Sequence, residues 1–305
     1  MNKKIPIIVD CEPGIDDALA LMLAFSNPKK IDVKLITSSV GNLALEKTTR
    51  NILFLVETFS PYKVDVAKGE EGKLDGIENK PDAIDVHGKS GLGMFEPSKP
   101  SLKAIRKKAI KAMYDTLMQS DEKVVIVALG PMINVSKLLL EHPDCKEKIK
   151  CVFAMVGSID GVGNVTPYAE FNAYHDPVAL DIVIKSGVPF VMSPLHLGQK
   201  TAVANEKFYS HRRKTFKEDF IYQMIKGSFE PTQEGFFGLH DPQVVYGLLH
   251  PELYTFKRCD ISVCLKKRKY AQTFVVENPN GSCFVQEAKS YKKVSKRMFK
   301  DFYRG

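Results

Sequence analysis

The feature that most constrains the fold is an alternation of short apolar segments with longer segments of helical periodicity. The short segments have the length and composition of buried strands, and the longer ones place apolar residues on one helix face. The alternating segments are residues 5–9 with 18–25, 32–40 with 44–59, and 123–130 with 132–142, followed by 151–157, 176–187 and 189–195. This rhythm predicts an α/β fold in which a mostly parallel central sheet is flanked by helices.

The carboxyl-terminal third of the chain has a different pattern. From about 205 to 250 the sequence is helical and aromatic, and segments 260–266, 270–276 and 283–289 have the composition of strands. We expect these strands to form a small antiparallel edge, arranged as a meander, before a final basic helix. Because no linker or internal repeat interrupts the 305 residues, we expect a single domain over 1–305.

The composition is typical of a soluble globular protein, with 44% hydrophobic and 26% charged residues. The basic first residues run into acidic ones after a short apolar stretch that is too short for a signal peptide, and no apolar run has membrane-spanning length. We therefore expect a cytoplasmic protein with no membrane partner. The six cysteines lack Cys-x-x-Cys spacing, so we expect free thiols rather than a zinc site or disulfides.

The net charge of +8 raises the question of a nucleic-acid partner, because basic runs occur at 103–113, 266–269 and 292–297. In the first run, apolar residues recur at helical spacing, which predicts that its lysines form the solvated face of an amphipathic helix. Aromatic residues do not interleave with the basic runs as a base-stacking surface requires. We therefore expect no nucleic-acid partner.

Four carboxylates lie within eight positions where the first strand meets the first helix: Asp10, Glu12, Asp16 and Asp17. A helix amino terminus favours one or two negative charges, but additional neighbouring carboxylates repel one another unless a cation lies among them. One interpretation is that Asp16 or Asp17 caps the helix and the others are solvated. The other is a hard-metal site, since calcium and magnesium bind oxygen ligands.

Further candidate site residues follow other predicted strands, and the carboxyl ends of these strands meet at one edge of a parallel sheet. They are Asn42 after the second strand, Leu129 after a central strand, Asn164, Glu170 and Asn172 in the loop 163–177, and His240-Asp241 ahead of a helix. Each also has an ordinary structural interpretation, as a helix cap, a turn residue or a surface residue. If the acidic cluster binds a metal, we expect the remaining ligands among these residues.

Taken together, six motifs resemble the inosine-uridine-preferring nucleoside hydrolase family, from residue 5 to at least residue 250. They are "VDCEPGIDDALALMLA", "VGN", "VHGKSGLG", "ALGPMIN", "GNVTPYAEFNAYHDP" and "LHDP", in the order of the family. The resemblance implies an α/β domain that binds one calcium ion. It also implies hydrolysis of the N-glycosidic bond of a small-molecule ribonucleoside to ribose and free base, by a homodimer or homotetramer.

The resemblance also implies a role for each matching residue. The calcium ligands would be Glu12, Asp17, the Leu129 carbonyl and Asp241, and the ribose-binding residues would be Asp16, Asn42, Asn164, Glu170 and Asn172. Glu12 would activate the attacking water on the calcium, and His240 would protonate the leaving base. Asp10 would orient the neighbouring ligands.

Glu12 stands where the family has an aspartate, and this is the most consequential departure. The carboxylate is kept, but an extra methylene displaces it, and a misplacement of about 1 Å can cost roughly 10²-fold in rate. The alternative is therefore a non-catalytic nucleoside- or ribose-binding homologue inactivated by this change. Smaller departures are Ile133, Val156, His196 and Gly198, and we expect His196 to belong to a local hydrogen-bond network.

Two further functional interpretations are disfavoured by the sequence. The purine-specific branch of the family stacks the base between tryptophans, and this chain has no Trp. A magnesium-dependent phosphohydrolase would also place acids at a strand end, but the lysine and acidic pair expected around a phosphoryl group are not apparent.

Overall fold

A nine-stranded sheet forms the centre of the protein, whose computed structural model describes residues 3–77, 82–229 and 234–304. Its strands are β1 Ile5–Cys11, β2 Ile31–Ser38, β3 Asp65–Ala67, β4 Val124–Ala128, β5 Ile149–Met155, β6 Phe190–Ser193, β9 Tyr254–Val263, β10 Thr273–Glu277 and β11 Cys283–Ala288. A separate two-stranded antiparallel sheet consists of β7 Val203–Ala204 and β8 Phe236–Phe237. The order in the large sheet is β10-β9-β11-β6-β5-β4-β1-β2-β3.

Helices cover both faces of this sheet. They are α1 Ile15–Phe25, α2 Leu45–Phe59, α3 Ile84–His87, α4 Ala109–Gln119, α5 Ile133–Glu141, α6 Phe171–His175, α7 Pro177–Lys185, α8 Leu195–Lys200, α9 Asn205–Tyr209, α10 Phe216–Lys226, α11 Pro242–Leu249 and α12 Tyr291–Phe302. Three 3₁₀ turns span Pro143–Lys148, Pro251–Leu253 and Lys267–Lys269. Within the described ranges, no helix combines the length and the apolarity needed to cross a membrane.

The first strand is central and apolar because it is covered on both faces. Ile7 and Val9 pack into one core with α1, α2, α10, α11 and α12, whereas Ile8 packs into the other with α4, α5 and α7. β1 pairs in parallel with β2 on one side and β4 on the other. The chain thus winds outward in opposite directions from β1 and β4, which places a crevice at their carboxyl ends. The prediction of a mostly parallel sheet flanked by helices is confirmed.

The predicted antiparallel edge is confirmed, but the predicted meander order is wrong. β9 lies in the middle and pairs antiparallel with both neighbours, so that Cys259 faces Glu277 on one side and Cys283 on the other. After the β9–β10 hairpin the chain crosses back, and β11 joins the parallel sheet beside β6. Alternating apolar residues do not distinguish this order from a meander, because both orders bury the same faces.

The prediction of one helix over 103–113 is also wrong in its first half. The helix α4 begins at Ala109, and Ile105 instead forms a parallel bridge to Ala67 at the end of β3. The Ile105 N–H donates to the Val66 carbonyl over 2.8 Å. Pairing with the sheet edge therefore overrides the local helical periodicity of this segment. From Ala109 onward the amphipathic helix is as predicted, and all six cysteines are free thiols.

Candidate active site

A cavity of about 180 Å³ opens at the carboxyl ends of the central strands. Nine of the ten residues predicted to bind the metal, bind ribose or catalyse the reaction line it: Glu12, Asp16, Asn42, Leu129, Asn164, Glu170, Asn172, His240 and Asp241. The tenth, Asp17, is fully buried and hydrogen-bonded to the loop that carries Glu12. The fold therefore brings together residues that lie as far as 229 positions apart in the sequence.

The turn between β1 and α1 is held by the Asp17 side chain. One carboxylate oxygen accepts the Glu12 N–H over 3.0 Å, and the other accepts the Gly14 N–H over 3.0 Å. The Asn42 amide, which follows β2, donates to the second oxygen over 3.3 Å. Asp17 therefore caps the helix, as one interpretation of the acidic cluster expects. The same interpretation expected the remaining acids to be solvated, and this is wrong because Asp10, Glu12 and Asp16 are also buried.

Three carboxylates converge at one wall of the cavity. Oxygen atoms of Asp16, Asp17 and Asp241 lie within 4.8 Å of one another. Asp241 reaches this point because it directly precedes α11, which packs against α1. Glu12 lies outside the group of three. The sequence had assigned Glu12 to the metal and Asp16 to the ribose, whereas the geometry groups Asp16 with the other two aspartates.

Glu12 lies in a slot between two glycines. A Cβ atom on Gly41 would overlap its carboxylate, and one on Gly130 would lie 2.9 Å from Oε2 and 3.0 Å from Cγ. Oε2 is buried and has no hydrogen-bond partner among the described residues. The extra methylene relative to aspartate is therefore accommodated by folding the side chain against the backbone that follows β2 and β4.

Burial and mutual repulsion raise the pKa values of these acids. Burial is the main cause for Glu12 and Asp241, whose pKa values rise well above the usual range, and neighbouring aspartates add to the effect. Burial, followed by the charge of Asp16, raises the pKa of Asp17 to about 7. No lysine or arginine is found among the described residues that line the cavity. Within the described ranges, the carboxylates are thus concentrated without a lysine or arginine to balance them.

The loop between β5 and α6 is fixed by side chains that were predicted to bind ribose. Glu170 accepts N–H groups from Gly157, Asn172 and Ala173 over 2.7 to 3.0 Å. The Asn172 amide donates to the Leu129 and Met155 carbonyls over 2.9 and 3.0 Å, while its Oδ1 is buried without a described partner. These residues therefore hold the cavity wall in place, so that the remaining polar atoms are preorganised for a ligand.

Asp10 and His196 lie outside the cavity wall. Asp10 accepts hydrogen bonds from Thr37 over 2.5 Å and Asn134 over 2.8 Å, which ties β1 to β2 and α5. Its carbonyl accepts the Leu129 N–H over 2.8 Å, and this contact supports the strand end that presents the Leu129 carbonyl. His196 lies 2.9 Å from Glu287, which confirms its place in a local network.

Sequence reasoning missed several residues that line the cavity, including Val86, His87 and Phe229. His87 lines the cavity, and its Nδ1 accepts the Ile15 N–H over 3.2 Å, so a neutral ring carries its proton on Nε2. Val86, Phe229 and Phe237 form an apolar wall, and Phe229 remains 57% exposed. The motif "VHGKSGLG" was the available signal for His87. Phe229 had none, because its position depends on a backbone contact to Val86.

The donor set fits a hard divalent cation. Three aspartates offer oxygen atoms, the Leu129 carbonyl lines the same cavity, and Glu12 Oε2 is buried without a described partner. The three clustered side chains offer only carboxylate oxygens, which favours calcium or magnesium over zinc. A divalent charge among these carboxylates would offset the burial and the mutual repulsion that raise their pKa values.

The raised pKa of Asp17 predicts how pH affects the metal-free protein. In the folded state the Asp17 carboxyl has a pKa of about 7, whereas its ordinary value is 3.8. The folded state therefore loses the stability that comes from protonated Asp17 as the pH rises from 3.8 to about 7. In the presence of a chelator, Asp17→Asn should therefore melt at a higher temperature than the wild type near pH 8. The difference in melting temperature between the two proteins should be smaller near pH 5. Asp121→Asn, at an exposed position, serves as the control in these melting curves. An unchanged difference at the two pH values would contradict the expectation.

This geometry accompanies a clear similarity to known proteins. Residues 7–301 match the family model for inosine-uridine preferring nucleoside hydrolase. The chain is 39% identical over 257 residues to the pyrimidine-specific ribonucleoside hydrolase RihA of Escherichia coli O1:K1, covering 82% of this chain and 81% of that one. The RihA of Escherichia fergusonii matches with the same identity and coverage.

Solved structures share the fold over nearly the whole chain. A plant nucleoside hydrolase, the PpNRh1 enzyme, superposes with a TM-score of 0.90 at 24% identity, covering 99% of this chain and 100% of that one. The purine-preferring ribonucleoside hydrolase from Gardnerella vaginalis gives a TM-score of 0.87 at 27% identity, covering 97% and 96%. The chain therefore belongs to the inosine-uridine preferring nucleoside hydrolases, a family of N-glycosidases.

Proposed function

We propose that this protein hydrolyses the N-glycosidic bond of ribonucleosides, releasing ribose and a free base, in a reaction that depends on calcium. The observation that carries the proposal is the mixed lining of one cavity. Its carboxylates and amides include Asp16, Asn42 and Asn172, which could bind the ribose hydroxyls. His240 and the apolar wall of Phe229 and Phe237 are suited to the base.

The reaction needs acceptors near the ribose ring and a proton donor near the base. As the C1'–N bond breaks, its electron pair moves to the base and positive charge develops on the ribosyl ring, which nearby carboxylates stabilise. Glu12 removes a proton from the water whose oxygen bonds to C1', and His240 gives a proton to the leaving base. Calcium, held by Asp17, Asp241 and the Leu129 carbonyl, would supply charge neutralisation and lower the pKa of water.

The alternative is a homologue that binds a nucleoside or ribose without turnover. The observation in its favour is the position of Glu12, which lies outside the group of three aspartates and against the glycine slot. If its carboxylate does not reach the attacking water, the pocket would bind a ligand but not cleave it. The two functions differ in whether a free base is produced.

A substrate panel distinguishes these functions. We expect ribose and base in equal amounts from at least one of uridine, cytidine, inosine, adenosine and guanosine, with the signal lost after chelation and restored by calcium. Uridine and cytidine are the first to test, because the 39%-identical relatives are named pyrimidine-specific. The 2'-deoxy analogue of the best substrate should react on the order of 10⁴-fold more slowly, because it leaves buried polar groups unpaired.

Other results of the panel would overturn the proposal. Binding detected by calorimetry without release of base would support the non-catalytic homologue. Release of phosphate from phosphorylated sugars, with no base from any nucleoside, would support a phosphohydrolase. Full activity in the presence of the chelator would show that the reaction does not depend on a metal.

Three expectations from the sequence are carried forward as proposals. A single domain over 1–305 is supported by the continuity of the nine-stranded sheet from β3 to β10. A homodimer or homotetramer is expected from the family resemblance, and light scattering of the purified protein would test it. A cytoplasmic location and the lack of nucleic-acid and membrane partners remain predictions from composition.

A further inference from the structure

Gly198 lies in α8, in contact with the imidazole of His240. A Cβ atom at this position would overlap Nδ1 of that ring, and it would lie 2.7 Å from its Cγ and 2.8 Å from its Cα. Gly198 is buried, and no left-handed backbone conformation requires a glycine there. Glycine is a poor residue inside a helix, so the close approach of His240 is the physical reason for finding it in α8.

The two segments are tied together at several points, so they cannot move apart freely. The Leu239 N–H donates to the Gly198 carbonyl over 3.2 Å, and the Gln243 side chain donates to Thr201 over 2.7 Å. On the other side of α8, His196 is held by Glu287 in β11. A side chain at position 198 would therefore be accommodated by moving the His240 ring together with the backbone that carries it.

We propose that Gly198 is a positioning residue that holds the His240 imidazole in the wall of the cavity. The His240 Nδ1 is buried against α8 while the residue lines the cavity. The inference rests on the proposed function, in which His240 protonates the base. It adds a residue to that account because Gly198 touches neither ribose nor base.

The first test compares two leaving groups in the full-length protein. Gly198→Ala should lower kcat for the best ribonucleoside by roughly 10²-fold, because the ring is displaced by about 1 Å. It should have much less effect on p-nitrophenyl riboside, whose leaving group departs without protonation. The control is Gly247→Ala, inside α11, where a Cβ would meet Gln286 and Phe153 instead. This variant should lower stability without changing the ratio of the two rates.

A double-mutant cycle tests whether the effect passes through the ring. In a His240→Ala background, Gly198→Ala should cost no more than about twofold in rate, because the displaced group is already absent. Calcium affinity, measured by calorimetry, should also stay within about twofold of the wild type in Gly198→Ala. An additive rate loss, or a parallel loss of calcium affinity, would overturn the proposal, since either would mean that the glycine acts elsewhere.

Nitrogen NMR of the imidazole rings gives a readout that does not need activity. The seven histidines give few signals, and His240→Ala identifies the one from His240. Gly198→Ala should shift this signal, and Gly247→Ala should not. If the wild-type protein is inactive but Gly198→Ala still shifts the His240 signal, only the proposed function is contradicted. If Gly198→Ala leaves the His240 signal unshifted, the role of Gly198 is overturned.

Folding gives a last discriminating outcome. If Gly198→Ala alone does not fold but Gly198→Ala/His240→Ala does, the ring is the group that requires the glycine, which supports the proposal. If the double variant also fails to fold, contact with the backbone is the reason for the glycine, and the proposal is overturned.

Discussion

Replacing Asp17 with asparagine is expected to remove calcium binding and ribonucleoside hydrolysis together. Asp17 is fully buried, and its two oxygens accept N–H groups from Glu12, Gly14 and Asn42. Asparagine keeps the size and one oxygen, so the turn can still form, but the negative charge is lost. Calcium affinity should fall by more than about 100-fold, the upper end for residues that only support a ligand.

Calorimetry and thermal melting measure this loss directly. Calcium should raise the melting temperature of the wild type in a concentration-dependent way, because it binds the folded state, and should not do so in Asp17→Asn. Ribose release should fall in parallel with calcium binding. The exposed variant Asp121→Asn should retain both properties. An Asp17→Asn protein that is active without metal would show that the carboxylate cluster has another purpose.

Replacing Glu12 should separate catalysis from metal binding. Glu12→Gln keeps the shape that fills the slot between Gly41 and Gly130 but cannot accept a proton from water. We expect kcat to fall roughly 10²- to 10⁴-fold, the usual contribution of a general base. Calcium affinity should fall less than in Asp17→Asn, since Glu12 lies outside the group of three aspartates. The control is the exposed Glu206→Gln, which should retain full activity.

Glu12→Asp decides between the enzyme and the non-catalytic homologue. Shortening the side chain leaves the glycine slot partly empty and moves the carboxylate by more than about 1 Å, so a working enzyme should slow by roughly 10²-fold. A wild type that releases no base, together with a Glu12→Asp variant that does, would establish that Glu12 has ended turnover.

The alternation of segments was enough to predict the parallel sheet, because β1 is apolar on both faces and only burial between two helix layers produces that pattern. It could not predict the helix start at Ala109, since the pairing of Ile105 with the edge of β3 is a tertiary contact. It also could not order β9, β10 and β11, because their alternation fits more than one pairing.

The candidate site was predictable where a residue type carries its own signal. Buried acids at a strand end indicate a cation, and the motifs placed Asn42, Leu129 and Asp241 beside them. Phe229 carried no such signal, and Gly198 stood out only as a departure from the family motif, because the importance of both depends on which side chain they contact after folding. The position of the Glu12 side chain likewise depends on Gly41 and Gly130, which follow two other strands.

The most direct measurement follows uridine and the other ribonucleosides in ¹⁸O-labelled water, with stoichiometric protein and calcium. We expect free base and ribose in equal amounts, with the label at C1' of ribose, and no reaction in Asp17→Asn. Recovery of every nucleoside unchanged from the wild-type protein, or release of base without label in the sugar, would contradict hydrolysis of the N-glycosidic bond.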